Sequence, residues 1–259
     1  MPFAMWFFLG IEELPLAAEE AHNPAKDIPK AGILGMGTLV ITAGLVLLLN
    51  PGITGAKELS ESGEPLLDGF RAILPNSDVA ALLAAFALIG LLASLQGIMF
   101  AYGRNIYSLS RAGYYPKVLS LTGKRKTPYT ALVAGAVIGY GALLWAEFGG
   151  DSAGAVVLNI AVWGAVIAYM LQMISYILLK RKLPNLNRPY KSPVGVLGAL
   201  VAGSLAALVF VGQALNPALT TAIQAIAIVY VIGLVGFGLF GRKKLVLSPE
   251  EQAAIAGHK

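Results

Sequence analysis

Six long apolar runs, separated by short polar or proline-bearing connections, dominate the chain: about 31–50, 79–103, 128–147, 154–179, 194–215 and 219–240. Each reaches the roughly 20 residues that an α-helix needs to cross a bilayer. Barrel strands are only about 9–11 residues long and alternate in polarity, which these runs do not, so the pattern predicts helices. Pro51, Pro75, Pro116, Pro128, Pro184, Pro189, Pro193 and Pro217, with neighbouring glycines and charges, mark the ends. A seventh apolar segment, 1–20, is broken by Gly10 and Pro15 and carries Glu12, Glu13, Glu19 and Glu20. The pattern predicts one all-α integral membrane domain, 1–259, with about seven transmembrane helices, the first incomplete and broken.

Composition agrees with this reading. The chain is 57% apolar and 13% charged, with a mean hydropathy of +0.72, against roughly 45–50% and about 25% in soluble domains. The absence of Cys excludes disulfides and thiolate metal sites. His22 and His258 fall in a loop and in the tail, so no metal or other cofactor is expected. G-F-G-L-F-G, Gly236–Gly241, has the spacing of the dinucleotide fingerprint, but that motif follows a strand and this one closes an apolar helix. No G-x-x-x-x-G-K-[ST] cradle occurs, and no predicted span holds a His for a Ser/His/Asp triad. Neither an ATP-driven motor nor an enzyme is expected. A signal peptide is not expected either, because the first segment lacks a basic start and contains acids.

The formal charge of +5 could suggest nucleic acid, but its placement changes the picture. Seventeen of the nineteen Lys and Arg fall in alternate connections: Lys26 and Lys30, then Arg104 to Lys126, Lys180 to Lys191, and Arg242 to Lys259. Only Lys57 and Arg71 lie on the other side. This asymmetry predicts that the first set, and the tail 241–259, face the cytoplasm and that the loop 51–78 is outside. Basic clusters between spans suit anionic lipid headgroups, not nucleic acid. The outer loop carries Glu58, Glu61, Glu64, Asp68 and Asp78. Within it, Glu64–Leu74 reads either as a surface helix over a substrate entrance or as an ordinary solvated loop.

The candidate chemistry lies in the opening segment. An acid in hydrocarbon costs about 2.5–3.5 kcal/mol, so Glu12 and Glu13 are functional candidates. A broken helix frees backbone groups that coordinate charge, and such backbone is tolerated at membrane depth only inside protein or beside water. Trp6, Phe7, Phe8 and Leu9 supply an aromatic and apolar wall, Gly10 a break, and Glu12 a titratable acid. That order suits a cationic or zwitterionic organic amine, since ring faces favour ammonium. The alternative is a Pro-kinked helix whose acids cap backbone or pair with Arg104 and Arg111; Glu19 and Glu20, near the cytoplasmic end, fit it better. Gly135/Gly139 and the stripe Gly195, Ala199, Gly203, Ala207 have the spacing of close helix packing. Trp145, Tyr129, Tyr140 and Tyr190 lie near span ends, where aromatic residues anchor the interface.

Three blocks in order carry a family resemblance. W-F-F-L-G-I-E followed by A-A-E-E-A-H-N-P-A-K-D-I-P-K resembles the sixth helix and following loop of the amino acid–polyamine–organocation permeases. Y-G-R-N-I-Y-S-L-S-R-A-G-Y-Y-P-K with K-R-K-T-P-Y-T-A-L is similar to the end of helix 8 and its loop. L-K-R-K-L-P-N-L-N-R-P-Y-K-S-P is similar to the loop between helices 10 and 11. The wording around Trp6 most resembles the ethanolamine permease branch.

The resemblance implies a twelve-helix secondary transporter built on two inverted five-helix repeats. This chain would correspond to helix 6, its start missing, through helix 12: the second repeat plus two peripheral helices. The implied roles are Trp6 as occluding aromatic, Phe8 to Gly10 as the unwound stretch and Glu12 as the acid after it. Ser94, Gln96, Gly97 and Ile98 would face the central cavity from helix 8. Trp163 and Tyr169 in helix 10 are candidates by polarity or aromaticity within a span. Glu13 stands where the ethanolamine branch has a small residue; a second acid suits an amine lacking a carboxylate.

The expected activity is uptake or exchange of a small organic amine such as ethanolamine, or of an amino acid, across the cytoplasmic membrane. Helices 1–5 have no counterpart here, so the chain is expected to be a truncated permease, inactive alone or paired with a separate N-terminal half. A seven-helix receptor or structural bundle is the competing class. It requires a complete first span, whereas Met1–Ile11 supplies about half of the roughly 30 Å core.

Overall fold

Proline, glycine and a few caps decide where the helices begin and end. The computed structural model describes residues 6–62, 64–74, 77–150, 153–186, 188, 190–247 and 252. The first five residues of the opening segment, and the predicted tail beyond 247 apart from residue 252, lie outside the described residues. Among those described, no strand occurs, and six helices are long and apolar enough to cross a membrane. The fold is all-α. The described part of the opening segment, expected as an incomplete and broken helix, contains a 3₁₀ helix over Ile11–Glu20.

Helix α1 (Pro24–Thr54) begins earlier than the apolar run predicts. Pro24 fits the first helical turn, where its missing N–H costs nothing, and Asp27 accepts the Asn23 N–H at 2.9 Å. The carboxylate also complements the positive end of the helix. Gly55, at φ 87°, ends α1, its N–H donating to the Pro51 carbonyl at 2.9 Å. The predicted outer loop then forms two short helices, α2 (Ala56–Glu61) and α3 (Pro65–Ile73). The side chain of Asn50 on α1 reaches the carbonyl of Pro65 at 3.3 Å, and Gly69 is buried against it. Helix α3 thereby lies across the ends of α1 and α4.

Helix α4 (Ser77–Arg111) continues eight residues past the apolar run that predicts it. Its end is set by a cap: Gly113 at φ 89° donates to the carbonyl of Ser110 at 3.2 Å, and Tyr114 donates to that of Leu109 at 2.9 Å. This is the pair of bonds that a left-handed glycine makes just past a helix, and Pro116 then prevents continuation. A short 3₁₀ turn (Lys117–Ser120) leads to α5 (Tyr129–Phe148). Gly150, at φ 95°, turns the chain into α6 (Ala153–Lys182). The Arg188 guanidinium caps the free carbonyls at the end of α6, donating to Leu179 at 3.2 Å and Leu183 at 2.9 Å.

Helix α7 (Gly195–Ala214) and helix α8 (Thr220–Gly236) complete the bundle. Beyond α8 the backbone widens into a π-turn, Phe237–Gly241, and tightens into a 3₁₀ turn, Arg242–Lys244. Helix α6 is the hub, lying against α5, α7 and α8. Its Val156 and Trp163 pack with Ala222 and Ile226 of α8, and Trp163 meets Phe210 of α7 edge-on at 4.8 Å.

Elsewhere the apolar side chains point outward. The accessible surface is 18213 Å² for 27.0 kDa, against about 11,000 Å² for a compact soluble monomer of that mass. Of α1 only Ala43 is buried, whereas α6 buries six residues. Outward Leu, Ile and Val are what lipid solvates at no cost, so the spans are held by close packing and not by exclusion from water.

The small residues show how close that packing is. The Tyr102 hydroxyl of α4 donates to the Leu132 carbonyl of α5 at 3.1 Å, and its ring lies on Gly135, leaving no room for a Cβ there. Gly139 has nothing within 4 Å. Gly135→Ala is therefore expected to cost about 1–3 kcal/mol by overpacking and Gly139→Ala almost nothing. Thermal unfolding of both variants in detergent checks this; equal melting temperatures would show that Tyr102 yields freely.

Candidate functional site

Gly10 breaks the opening segment. It adopts φ 101° and ψ −10°, left-handed backbone that carries a steric penalty for residues with a Cβ. Its N–H donates not to a helix carbonyl but to the Glu12 carboxylate, at 3.0 Å, and its carbonyl accepts the Glu13 N–H at 3.1 Å. The chain then runs as a 3₁₀ helix through Pro15. Runs of that type longer than three or four residues are uncommon, and here neighbouring helices support it. Leu14 lies over Gly32 of α1, 3.7 Å from where a Cβ would stand, and α4 lies alongside.

The same Glu12 oxygen, Oε2, accepts the phenol of Tyr169 on α6 at 2.8 Å, a bond between residues 157 apart in sequence. Glu12 therefore joins the backbone of the break to the hub helix. Trp6 to Leu14 and Tyr169 are all half-buried, so the carboxylate is neither sealed in the core nor fully exposed. A carboxylate held by two donors retains acceptor capacity for a third, and Glu13 follows it at once. A carboxylate oxygen with spare capacity can accept from a cationic donor, and Trp6, Phe7 and Phe8 precede the break in the chain.

Of the residues expected at the site, the structure joins Gly10, Glu12 and Tyr169 by hydrogen bonds, with Trp6, Phe7, Phe8, Leu9 and Glu13 next to them in the chain. Ser94, Gln96, Gly97 and Ile98 are exposed along α4. Trp163 packs into the core between α6, α7 and α8, at 2% exposure. It is six residues before Tyr169, which places the two side chains about 120° apart around the helix.

At the far end of the segment Glu20 pairs with Arg104 of α4, whose guanidinium also lies 4.7 Å over the Phe100 ring. Asn159 and Gln213 were not singled out in sequence, although both are buried within spans, at 2% and 1% exposure. Asn159 donates to the Ala155 carbonyl at 2.7 Å, while its oxygen and both polar atoms of Gln213 have no hydrogen-bond partner among the described residues. The signal that finds them is a lone amide in an otherwise apolar run.

Comparison with known proteins agrees with this architecture. The family described as amino acid permease matches residues 1–248. The branched-chain amino acid permease BcaP of Bacillus subtilis is 29% identical over 237 residues, covering 91% of this chain and 48% of its own. The lysine-specific permease LysP of Lactococcus lactis is 26% identical over 220 residues, covering 80% and 42%. An uncharacterized transporter of Rhizobium meliloti is 32% identical over 132 residues, covering 51% and 28%. The chain thus spans about half or less of the length of these relatives. With its six apolar helices and a match over nearly its whole length, the chain belongs to the amino acid permease family, within the amino acid–polyamine–organocation superfamily.

Proposed function

We propose that the chain supplies one half of a secondary transporter for an amino acid or a small organic amine such as ethanolamine, in the cytoplasmic membrane with its basic face inside. The observation that carries this reading is the Glu12 carboxylate, set at a left-handed glycine break and held by Tyr169 across 157 residues of sequence. A solute ammonium approaching Glu12 and Glu13 exchanges water for carboxylate oxygens. Rearranging the bonds from Gly10 N–H and Tyr169 O–H to Glu12 then moves the opening segment relative to α6. Trp6 to Phe8 provide the aromatic cover for the bound ammonium. In this reading the outward faces of α1 and α4, including Ser94, Gln96, Gly97 and Ile98, pack against helices equivalent to the first five of the relatives. The names of those relatives suggest branched-chain amino acids and lysine as first substrates to try.

Vesicles carrying this chain, alone and co-expressed with a first repeat of the same family, are given labelled leucine, lysine and ethanolamine. Saturable uptake of at least one solute, confined to the co-expressed vesicles, is the expected result. Tyr169→Phe is expected to lower it about tenfold, the worth of one hydrogen bond to a charged group. Saturable uptake by the chain alone would sink the half-site reading. Unchanged uptake in Tyr169→Phe would remove the Glu12–Tyr169 pair from the site, and no uptake of any solute would overturn transport.

A further inference from the structure

The G-F-G-L-F-G segment, which closes α8 as a π-turn and follows no strand, shapes a different site. Gly241 leaves room for the Phe237 ring, since a Cβ there would come within 2.7 Å of the ring edge. The Phe237 ring in turn stacks on Tyr114, just past the cap of α4, with centroids 5.4 Å apart and planes 14° apart. Behind this pair the tail is tied back: Val246 donates to the Ala112 carbonyl at 3.0 Å, and the Lys244 backbone lies against Gly113. The end of α4 and the end of α8 thus wall a cavity of about 820 Å³, within the range of small-molecule sites.

The lining of this cavity has two characters. Its walls are apolar, with Leu109, Ile232, Phe237 and Phe240 contributing side chains, while Gly233 and Gly236 leave space where side chains would stand. Among the described residues, Lys117 and Lys244 are the charged ones that line it, and no carboxylate does. Arg242 and Lys243 precede Lys244 directly, and Tyr114 and Tyr115 stand at the same level. Amphipathic Tyr and snorkelling Lys are the residues that sit at the headgroup depth of a bilayer. An apolar slot along a span, lined by two lysines beyond the ends of α4 and α8, is complementary to an amphiphile bearing one anionic group.

We infer that this cavity is a binding site for an anionic phospholipid of the leaflet on the basic side. Its phosphate lies between Lys117 and Lys244, and part of an acyl chain runs along the glycine notch of α8 towards Ile232. A free phosphate would use the lysines but not the apolar wall; a zwitterionic lipid would use the wall but gain nothing from the lysines. The inference is independent of the transport reading, since it uses neither the opening segment nor Tyr169. It gives the π-turn a role: the widened backbone carries Phe237 to Tyr114 and leaves Phe240 in the wall.

The test is native mass spectrometry of the full chain purified in detergent, titrated with dioleoyl phosphatidylglycerol or with the matching phosphatidylcholine. Retention of phosphatidylglycerol in preference to phosphatidylcholine is expected. The double variant Lys117→Gln/Lys244→Gln is expected to weaken it about 30-fold, at about fivefold for each basic residue near the surface. The control Lys180→Gln/Lys191→Gln, on the same face but away from the cavity, should change it little. Gly236→Leu, whose Cβ meets nothing within 4 Å, fills the notch with every charge in place and should also lower retention. Monodisperse elution of each variant shows that it has folded. Equal retention of the two lipids, or equal losses in the double variant and its control, would overturn the site. So would displacement of the lipid by glycerol phosphate at comparable concentration, which would show that the lysines alone hold the anion. Unaltered retention in Gly236→Leu would place the acyl chain elsewhere and refute the seat described here.

Discussion

Gly10→Val is expected to reduce saturable uptake at least about tenfold in the co-expressed vesicles of the proposed half-transporter, while the protein still reaches the membrane. Space is not the obstacle, because a Cβ at this position meets only Glu13 Oε2, at 3.9 Å. The obstacle is the backbone, at φ 101°. A β-branched residue there is a true outlier, and such strain costs on the order of 1–3 kcal/mol. The opening segment relieves it by rotating out of the left-handed region, and the Gly10 N–H then no longer meets Glu12. Gly10→Ala, with less bulk, should fall between valine and the native residue. Labelled uptake, normalised to the amount of protein by fluorescence-detected size exclusion, measures both. Wild-type uptake in the valine variant would mean that the break has no part in transport.

Glu12→Ala should have an equal or larger effect, roughly a hundredfold. The carboxylate accepts from Gly10 N–H at 3.0 Å and from the Tyr169 phenol at 2.8 Å. Bonds to a charged group contribute about 1.5–3 kcal/mol each, so losing two corresponds to at least about two orders of magnitude. Glu12→Gln keeps an acceptor oxygen and the shape but not the charge. If Glu12 only caps backbone, glutamine restores most of the uptake. If it also meets the solute ammonium, glutamine stays close to alanine and the deficit appears in KM as well as in the maximal rate. Combining Glu12→Gln with Tyr169→Phe closes a cycle in which direct partners are non-additive. Additive losses would show that the two residues act separately.

How far the chain could be read in advance depended on which force set each feature. The six spans follow from apolar length alone, and that signal marks where hydrocarbon is tolerated, not where helix stops. Hence α4 runs on through the polar stretch to Arg111, where a glycine cap and not hydropathy ends it. Likewise α1 starts at Pro24, ahead of its apolar run, because Pro24 and Asp27 suit a first turn. In the opening segment Gly10 and Pro15 announce an interruption, but they do not say which helix type follows, since the 3₁₀ form depends on support from α1 and α4. Tyr169 and Trp163 gave the same signal, an aromatic residue in a span. Only the turn of α6 assigns one to Glu12 and the other to the core. The link from Glu12 to Tyr169 crosses 157 residues and has no local trace in sequence.

The ten-residue 3₁₀ helix has a mechanical consequence. At about 2.0 Å per residue it spans about 20 Å, whereas the same residues wound as an α-helix span about 15 Å. Its two ends are moored to different helices, Glu12 to Tyr169 of α6 and Glu20 to Arg104 of α4. Between Glu12 and Glu20 any exchange between the two pitches is therefore a stroke of about 4 Å. That displacement, about three-quarters of a helical turn, would come from rewinding a single short segment while the hub helix stays where its core holds it.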